Sequence, residues 1–188
     1  MSRPLRVGLA VLFVLSLPVR AATLEGVTLQ DSLEVSGQVL RLNGVGLRTK
    51  LVFRVYVGGL YLSAPARSEQ EILGKDVPRA IVMHFLRHVE RDKLVTAYRE
   101  GFMANAPALA DRLRADIGRL LAAVPDVREG DRILFTYAPG IGSVLTLPDG
   151  IRVEIPGKDF GDLYSLLYLG PKPPTDRLKR GLLGLPGG

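Results

Sequence analysis

The sequence predicts an α+β fold in which one long antiparallel sheet is covered on one face by helices. Three observations lead there. Short, loosely alternating apolar segments fill residues 23–63 and return at 131–158. Two segments of helical period lie between them, at 90–106 and 108–124, and a third follows at 159–169. Strands and helices come in runs, not in alternation, which argues against βαβ units and a parallel sheet.

The first 21 residues read as a secretory signal. Arg3 and Arg6 form a positive start, residues 7–17 are an apolar run too short to cross a bilayer comfortably, and Val19 and Ala21 supply the small residues of a cleavage site. Cleavage is expected after Ala21, with Ala22 as the alternative site. An uncleaved anchor is disfavoured by Pro18 and the small residues behind the run. Cleavage leaves 167 of the 188 residues and removes Arg3, Arg6 and Arg20, so the formal net charge falls by three, from +6 to +3. That mild excess, without a basic stripe interleaved with aromatics, gives no case for nucleic acid. The chain has no cysteine, so it has no disulfide, no thiolate nucleophile and no Cys-based metal site. No later run reaches transmembrane length, and the processed protein is expected in a periplasm or secreted. Residues 22–184 are expected to form one domain, and 185–188 a frayed tail.

Residues 23–41 read as short strands broken at Gly26, Asp31 and Gly37, and 42–63 continue as strand. The polar cluster Arg48–Lys50 is the expected turn within that stretch. Ser68 and Glu71 have capping-box spacing and predict a short helix over 68–73. Residues 79–87 are an apolar strand. The helix over 90–106 turns Leu94, Tyr98 and Phe102 inward, with Val95 beside them. The one over 108–124 does so with Leu109, Leu113, Ile117, Leu120 and Leu121. Pro107 separates the two and Pro125 ends the second. Asp149-Gly150 signals a hairpin among the closing strands. Phe160, Leu163, Tyr164 and Leu167 mark the buried face of the helix at 159–169, and 176–183 predicts one last short helix.

Few residues suggest chemistry. His84 and His88 are the only histidines. On a strand and its end they stand about 13 Å apart, too far to share a metal, and read as a sheet-face and a surface residue. Ser143 lacks the strand-turn-helix setting of a nucleophile. The glycines of 43–48 and 138–144 lead into no helix, so turns and bulges explain them better than a phosphate loop. A bulge at Gly58-Gly59 would account for the change of parity from Phe53, Val55 and Val57 to Leu60 and Leu62. Arg54 and Tyr56 share a face if the strand is regular. Arg48 lies about 26 Å from Tyr56 along an unbroken strand, and the two meet only if the chain folds back between them. Pattern alone leaves two readings open: solvated cations beside a half-buried tyrosine, or a guanidinium and a phenol at the mouth of an apolar cleft, suited to a carboxylate or ketone oxygen.

The stretch LNGVGLRTKLVFRVYVGGLYL, residues 42–62, resembles the core motif of the chalcone isomerase-like family, with Gly44, Gly46, Arg48 and Gly59–Leu62 at the matching places. The order of later elements is similar as well, so the resemblance spans about residues 24–184 and is nearest to short exported bacterial members. It implies a ligand cleft between sheet and helices. Arg48 matches the arginine that stabilises the substrate oxygen in the true isomerases. The accompanying threonine falls near Tyr56, the helix tyrosine near Leu94 and the asparagine near Gly101, while Tyr98 and Asn105 are each four residues off. The family also holds fatty-acid-binding members in which an arginine and a tyrosine bind the carboxylate. The resemblance therefore implies a non-catalytic binder of a small apolar carboxylate, with Arg48 and Tyr56 as ligand-binding residues and no cofactor. An isomerase of intramolecular-lyase type using Arg48, Tyr56 and Tyr98 is the alternative, and a structural or partner-binding protein with a filled core is the third reading.

Overall fold

The computed structural model describes residues 21–188. All of the signal-peptide reading except Ala21 lies outside the described residues.

A small hairpin comes first, β1 (Ala22–Leu24) and β2 (Val27–Leu29). Seven strands then form one antiparallel sheet in chain order: β3 (Ser32–Val35), β4 (Gln38–Lys50), β5 (Phe53–Leu62), β6 (Arg79–Phe85), β7 (Arg132–Ala138), β8 (Gly142–Thr146) and β9 (Arg152–Ile155). The helices are α1 (Glu69–Leu73), α2 (Arg91–Asn105), α3 (Pro107–Arg112), α4 (Arg114–Ala123), α5 (Lys158–Leu169) and α6 (Asp176–Leu182). The expected α+β class holds, with helices on one face of the sheet.

Local chemistry sets several boundaries. Ser68 Oγ accepts the Glu71 amide at 3.3 Å and donates to Glu71 Oε1 at 3.1 Å, while Glu71 Oε2 reaches back to the Arg67 amide at 3.1 Å, a capping arrangement one residue wider than the usual box. Thr175 caps α6 through the Leu178 amide. Asp149 and Gly150 both carry positive φ, at 62° and 77°, in the turn between β8 and β9.

The helix-covered face holds the main core. Odd residues of β6 and β7, such as Ile81, Phe85, Ile133 and Phe135, meet Phe102, Phe160 and Tyr164 from the helices. Phe135 and Tyr164 stack with centroids 4.2 Å apart. The opposite face carries a second, smaller core of Leu29, Leu40, Leu47, Val57 and Tyr61, covered in part by the β1–β2 hairpin. Beyond Arg54, β5 is therefore buried on both faces.

Four expectations are corrected. Arg48–Lys50 is not a turn: β4 runs through it, and the chain reverses at Leu51-Val52. Gly58-Gly59 is not a bulge, because its pairing is regular with both neighbours; the register shifts fall at Asn43 and Val55. The shift at Val55 separates Arg54 from Tyr56, which the pattern had placed on one face. Arg54 instead pairs with Glu25 at the β1–β2 turn. Finally, the segment at 108–124 is two helices, broken at Leu113 (φ −97°, ψ 19°). Leu109, Leu113 and Ile117 are consequently only partly buried against the core.

Gly44 and Gly46 serve a close approach, not a loop. A Cβ on Gly44 would lie 2.2 Å from the Gly181 carbonyl oxygen, and one on Gly46 would lie 2.5 Å from that of Leu178. Backbone of β4 thus touches backbone of α6, and Gly181 reciprocates, since its own Cβ would lie 2.4 Å from the Val45 oxygen.

Sequence reading took Arg79 only as the start of a strand, yet it is fully buried at the far end of β6. Its Nε donates to Ser165 Oγ at 2.8 Å, one terminal nitrogen donates to Asp162 Oδ1 at 2.6 Å, and its guanidinium carbon lies 4.3 Å from the Tyr137 ring centroid. Lys158 and Asp76 complete the knot through Asp162 and Tyr137.

Gly46→Ala should destabilise the protein by about 1–3 kcal/mol, because helix backbone has to move. Gly118, exposed in α4 with open space at its Cβ, gives the contrast. Gly118→Ala should gain roughly 0.5–1 kcal/mol. Urea unfolding of both variants measures this, and equal midpoints would refute the packing role of Gly46. Asp162→Ala should cost about 3–5 kcal/mol in the same assay, since it strands a buried guanidinium.

Candidate functional site

The reversal at Leu51-Val52 brings Arg48 directly opposite Tyr56 in the β4–β5 ladder. Opposed residues point to the same face, here the helix face. The Arg48 guanidinium carbon stands 5.8 Å from the Tyr56 ring centroid, within cation–π range. Phe85 on β6 meets the other side of Tyr56 edge-on at 5.5 Å.

Beside this pair a cleft of about 580 Å³ opens between the end of the sheet, α2, α5 and the segment leading to α6. Its apolar walls come from Val55, Met83, Leu94, Ala97 and Leu167, with Pro173 and Pro174 across from them. Tyr98 and Tyr168 also line it. The rim is cationic: Lys50, Arg87, Lys93 and Lys172 stand around it, with Glu100 as the acid. Arg48 itself is half-buried. Among the described residues no acidic side chain pairs with it, so its charge is free to meet an anion.

The phenols are held as donors. Burial pushes the Tyr56 hydroxyl well above its ordinary range, with Arg48 opposing the shift less strongly. Burial raises Tyr98, Tyr164 and Tyr168 too. The Tyr98 and Tyr164 hydroxyls lie 3.1 Å apart, and Tyr168 donates to Met83 Sδ at 2.9 Å. At neutral pH every one of these groups is a protonated phenol, able to donate to an oxygen but unable to act as a base.

The structure therefore brings Arg48, Tyr56 and Tyr98 to one cleft, and leaves Arg54 outside it. Asn105 turns away: its side chain bonds the Gly101 oxygen and both backbone groups of Lys172 at 2.8–2.9 Å, tying α2 to the loop before α6. At Gly101 a Cβ would lie 2.0 Å from Leu167 Cδ1, so a larger side chain there would have to displace Leu167. His84 accepts from Arg132 at 3.0 Å on the opposite face, while His88 reaches the cleft rim. Among the described residues no cluster of His, Cys, Asp and Glu is placed to hold a metal ion, and no helix is long and apolar enough to cross a membrane. Sequence reading missed the cationic rim, whose members come from four separate segments. It also missed Tyr168, four residues after Tyr164 on the same helix face, a spacing that was there to be read.

A family profile described as chalcone isomerase-like matches residues 21–184. No curated protein matches the sequence. Among solved structures the chain is similar to a fatty-acid binding protein of Arabidopsis thaliana, with 18% identity and a TM-score of 0.64, covering 87% of this chain and 96% of that one. At that identity the likeness speaks for the fold.

All six tyrosines have raised phenol pKa values, Tyr61 and Tyr137 being pushed up to about 12. An unfolded phenol titrates near 10. The folded state thus binds more protons than the unfolded state above about pH 10, so the tyrosines' contribution to stability is constant below that pH and is lost as pH rises past it. Tyrosinate absorbance should stay low until alkaline unfolding and then rise with the loss of structure. Gradual ionisation near pH 10 in the folded protein would contradict this burial.

Proposed function

We propose that this chain, which belongs to the chalcone isomerase-like family, is an exported, non-catalytic binder of a fatty acid or similar apolar carboxylate. The observation that carries the reading is a half-buried guanidinium without an acidic partner at an apolar cleft. The cleft volume falls within the range of small-molecule sites, about 300–1,000 Å³. The acyl chain would lie along Val55, Met83, Leu94 and Leu167. Arg48 would take the carboxylate by charge-assisted hydrogen bonds, with the Tyr56 hydroxyl as a neutral donor. The plant relative of like fold, itself a fatty-acid binding protein, supports this choice of ligand. The N-terminal pattern supports export to a periplasm or beyond, and the mass of the processed N-terminus tests that part alone.

Intramolecular lyase activity is the second reading, since Arg48, Tyr56 and Tyr98 would also polarise a substrate oxygen. Against it stand the protonated phenols and Asn105, which is engaged with Lys172. A filled gap between sheet and helices would have favoured a purely structural role, and the cleft speaks against that.

Native mass spectrometry of the processed protein, purified without detergent, should find a copurified fatty acid. Arg48→Ala should lose it. One charge-assisted bond contributes about 1.5–3 kcal/mol, so the variant's affinity should fall roughly 10–100-fold. Unfolding stability should fall by no more than about 1 kcal/mol, the worth of the contact with the Tyr56 ring, because Arg48 has no acidic partner to strand. Tyr56→Phe should weaken binding less. Unchanged affinity in Arg48→Ala would remove the site assignment, and turnover of an added chalcone above background would favour the lyase.

A further inference from the structure

The β4–β5 hairpin projects beyond the sheet. Its own pairing runs out to Lys50 and Phe53, whereas β6 pairs with β5 only from Tyr56, and β3 pairs with β4 only up to Arg41. Val55 still accepts the Leu86 amide at 2.9 Å and Arg54 reaches Glu25, so the part of the ribbon without a third strand is its tip beyond Arg54. At its tip Leu51 is 90% exposed, Val52 87% and Phe53 52%. The other exposed large apolar side chains, such as Val39, Met103 and Ile141, are single. Leu51 carries φ 55°, a conformation that turns usually give to Gly, Asn or Asp. Nothing within the fold requires aliphatic residues there.

Cations flank this tip. Lys50 adjoins it, Arg87 lies 4.4 Å over the Phe53 ring, and Lys93 and Lys172 stand on the same rim. We propose that the Leu51–Phe53 tip docks on an anionic lipid bilayer, with the aliphatic side chains entering the headgroup boundary and Lys50 and Arg87 meeting lipid phosphates. Three residues are too small a patch for a stable protein interface, which needs about 800 Å² per partner. Apolar anchors beside basic residues are what a charged membrane surface retains. Leu51 and Phe53 also line the cleft, so docking would hold its mouth against the membrane. The surface stands on the tip alone; only its use for loading an acyl ligand rests on the proposed function.

The chain has no tryptophan, so Val52→Trp supplies a sole reporter at a residue outside the cleft lining. It is added to vesicles of equimolar phosphatidylglycerol and phosphatidylcholine, and to vesicles of phosphatidylcholine alone. Emission should shift to the blue with the first, and added salt should reverse the shift. In co-sedimentation, Val52→Asp should bind the anionic vesicles at least tenfold more weakly than the unaltered protein with the same processed N-terminus, and Lys50→Gln should weaken binding as well. No shift for Val52→Trp, or unchanged sedimentation of Val52→Asp, would overturn the proposal. An equal shift on both vesicle types would overturn its anionic part. Arg48→Ala separates the two readings: it should weaken fatty-acid binding roughly 10–100-fold and leave vesicle binding in place.

Discussion

The architecture depends on the pairing of β4 with β5, the two longest strands of the sheet. Both neighbours of this ribbon, β3 and β6, take their register from it, and both cores are built on its two faces. Side chains alternate strictly along a strand, so one extra residue exchanges the faces of everything beyond it. Two such residues occur, Asn43 and Val55. The extra residue at Val55 sends Tyr56 to the helix face and Arg54 to the other. Were Val55 paired in a regular strand, Arg54 would share the face of Tyr56 as a competing cation. Asn43 is put to use as well: its amide bonds Ala66 and Leu182, joining the middle of β4 to α6 and to the chain before α1.

Two arginines on the helix face of the sheet show how differently one charge can be treated. Arg79 is fully buried and has Asp162, Ser165 and the face of Tyr137 around it, an arrangement that offsets the desolvation of a guanidinium. One of its nitrogens nevertheless finds no partner among the described residues. Arg48 lies at the other end, half-buried, with only an aromatic face beside it. Removing a partner from Arg79 strands a charge, whereas Arg48 has none to lose. The first is a structural residue by its chemistry. The second retains its capacity for a ligand.

Much of this was legible in the sequence. Strand and helix order, the Ser68 cap, the Asp149-Gly150 turn and the inward faces of α2 and α5 follow from period and capping chemistry, which are local. What was not legible needed long-range knowledge. The reversal carries Leu51-Val52, not a turn-favouring pair, so the polar Arg48–Lys50 cluster drew the expectation two residues early. The parity change in β5 looked like a bulge at the glycines because a strand buried on both faces has no alternation to break. The break at Leu113 has no proline or glycine to announce it. Arg79 looked like an ordinary strand terminus, since its partners are more than eighty residues away. The Arg48–Tyr56 pairing needed only the fold-back, and the sequence left that open.

The Gly-x-Gly-x-Arg spacing acquires a physical meaning from these contacts. Residues 44, 46 and 48 occupy successive places on one face of β4, opposite Leu60, Gly58 and Tyr56. At the first two, missing side chains let α6 rest on the strand backbone, and Leu178 and Leu182 pack over Gly58. No space remains there for a ligand. At the third place a long cation replaces the glycine, and the chain leading to α6 lies across a cleft, at Lys172–Pro174. One short stretch of strand therefore sets both the closed part of the layer and the open part. A side chain at Gly46 would lift α6 and change the cleft's far wall, so the glycines act on the cleft without lining it. The same stretch ends in the projecting tip, which puts closed packing, cation, cleft mouth and an exposed apolar tip in sequence along a single ribbon.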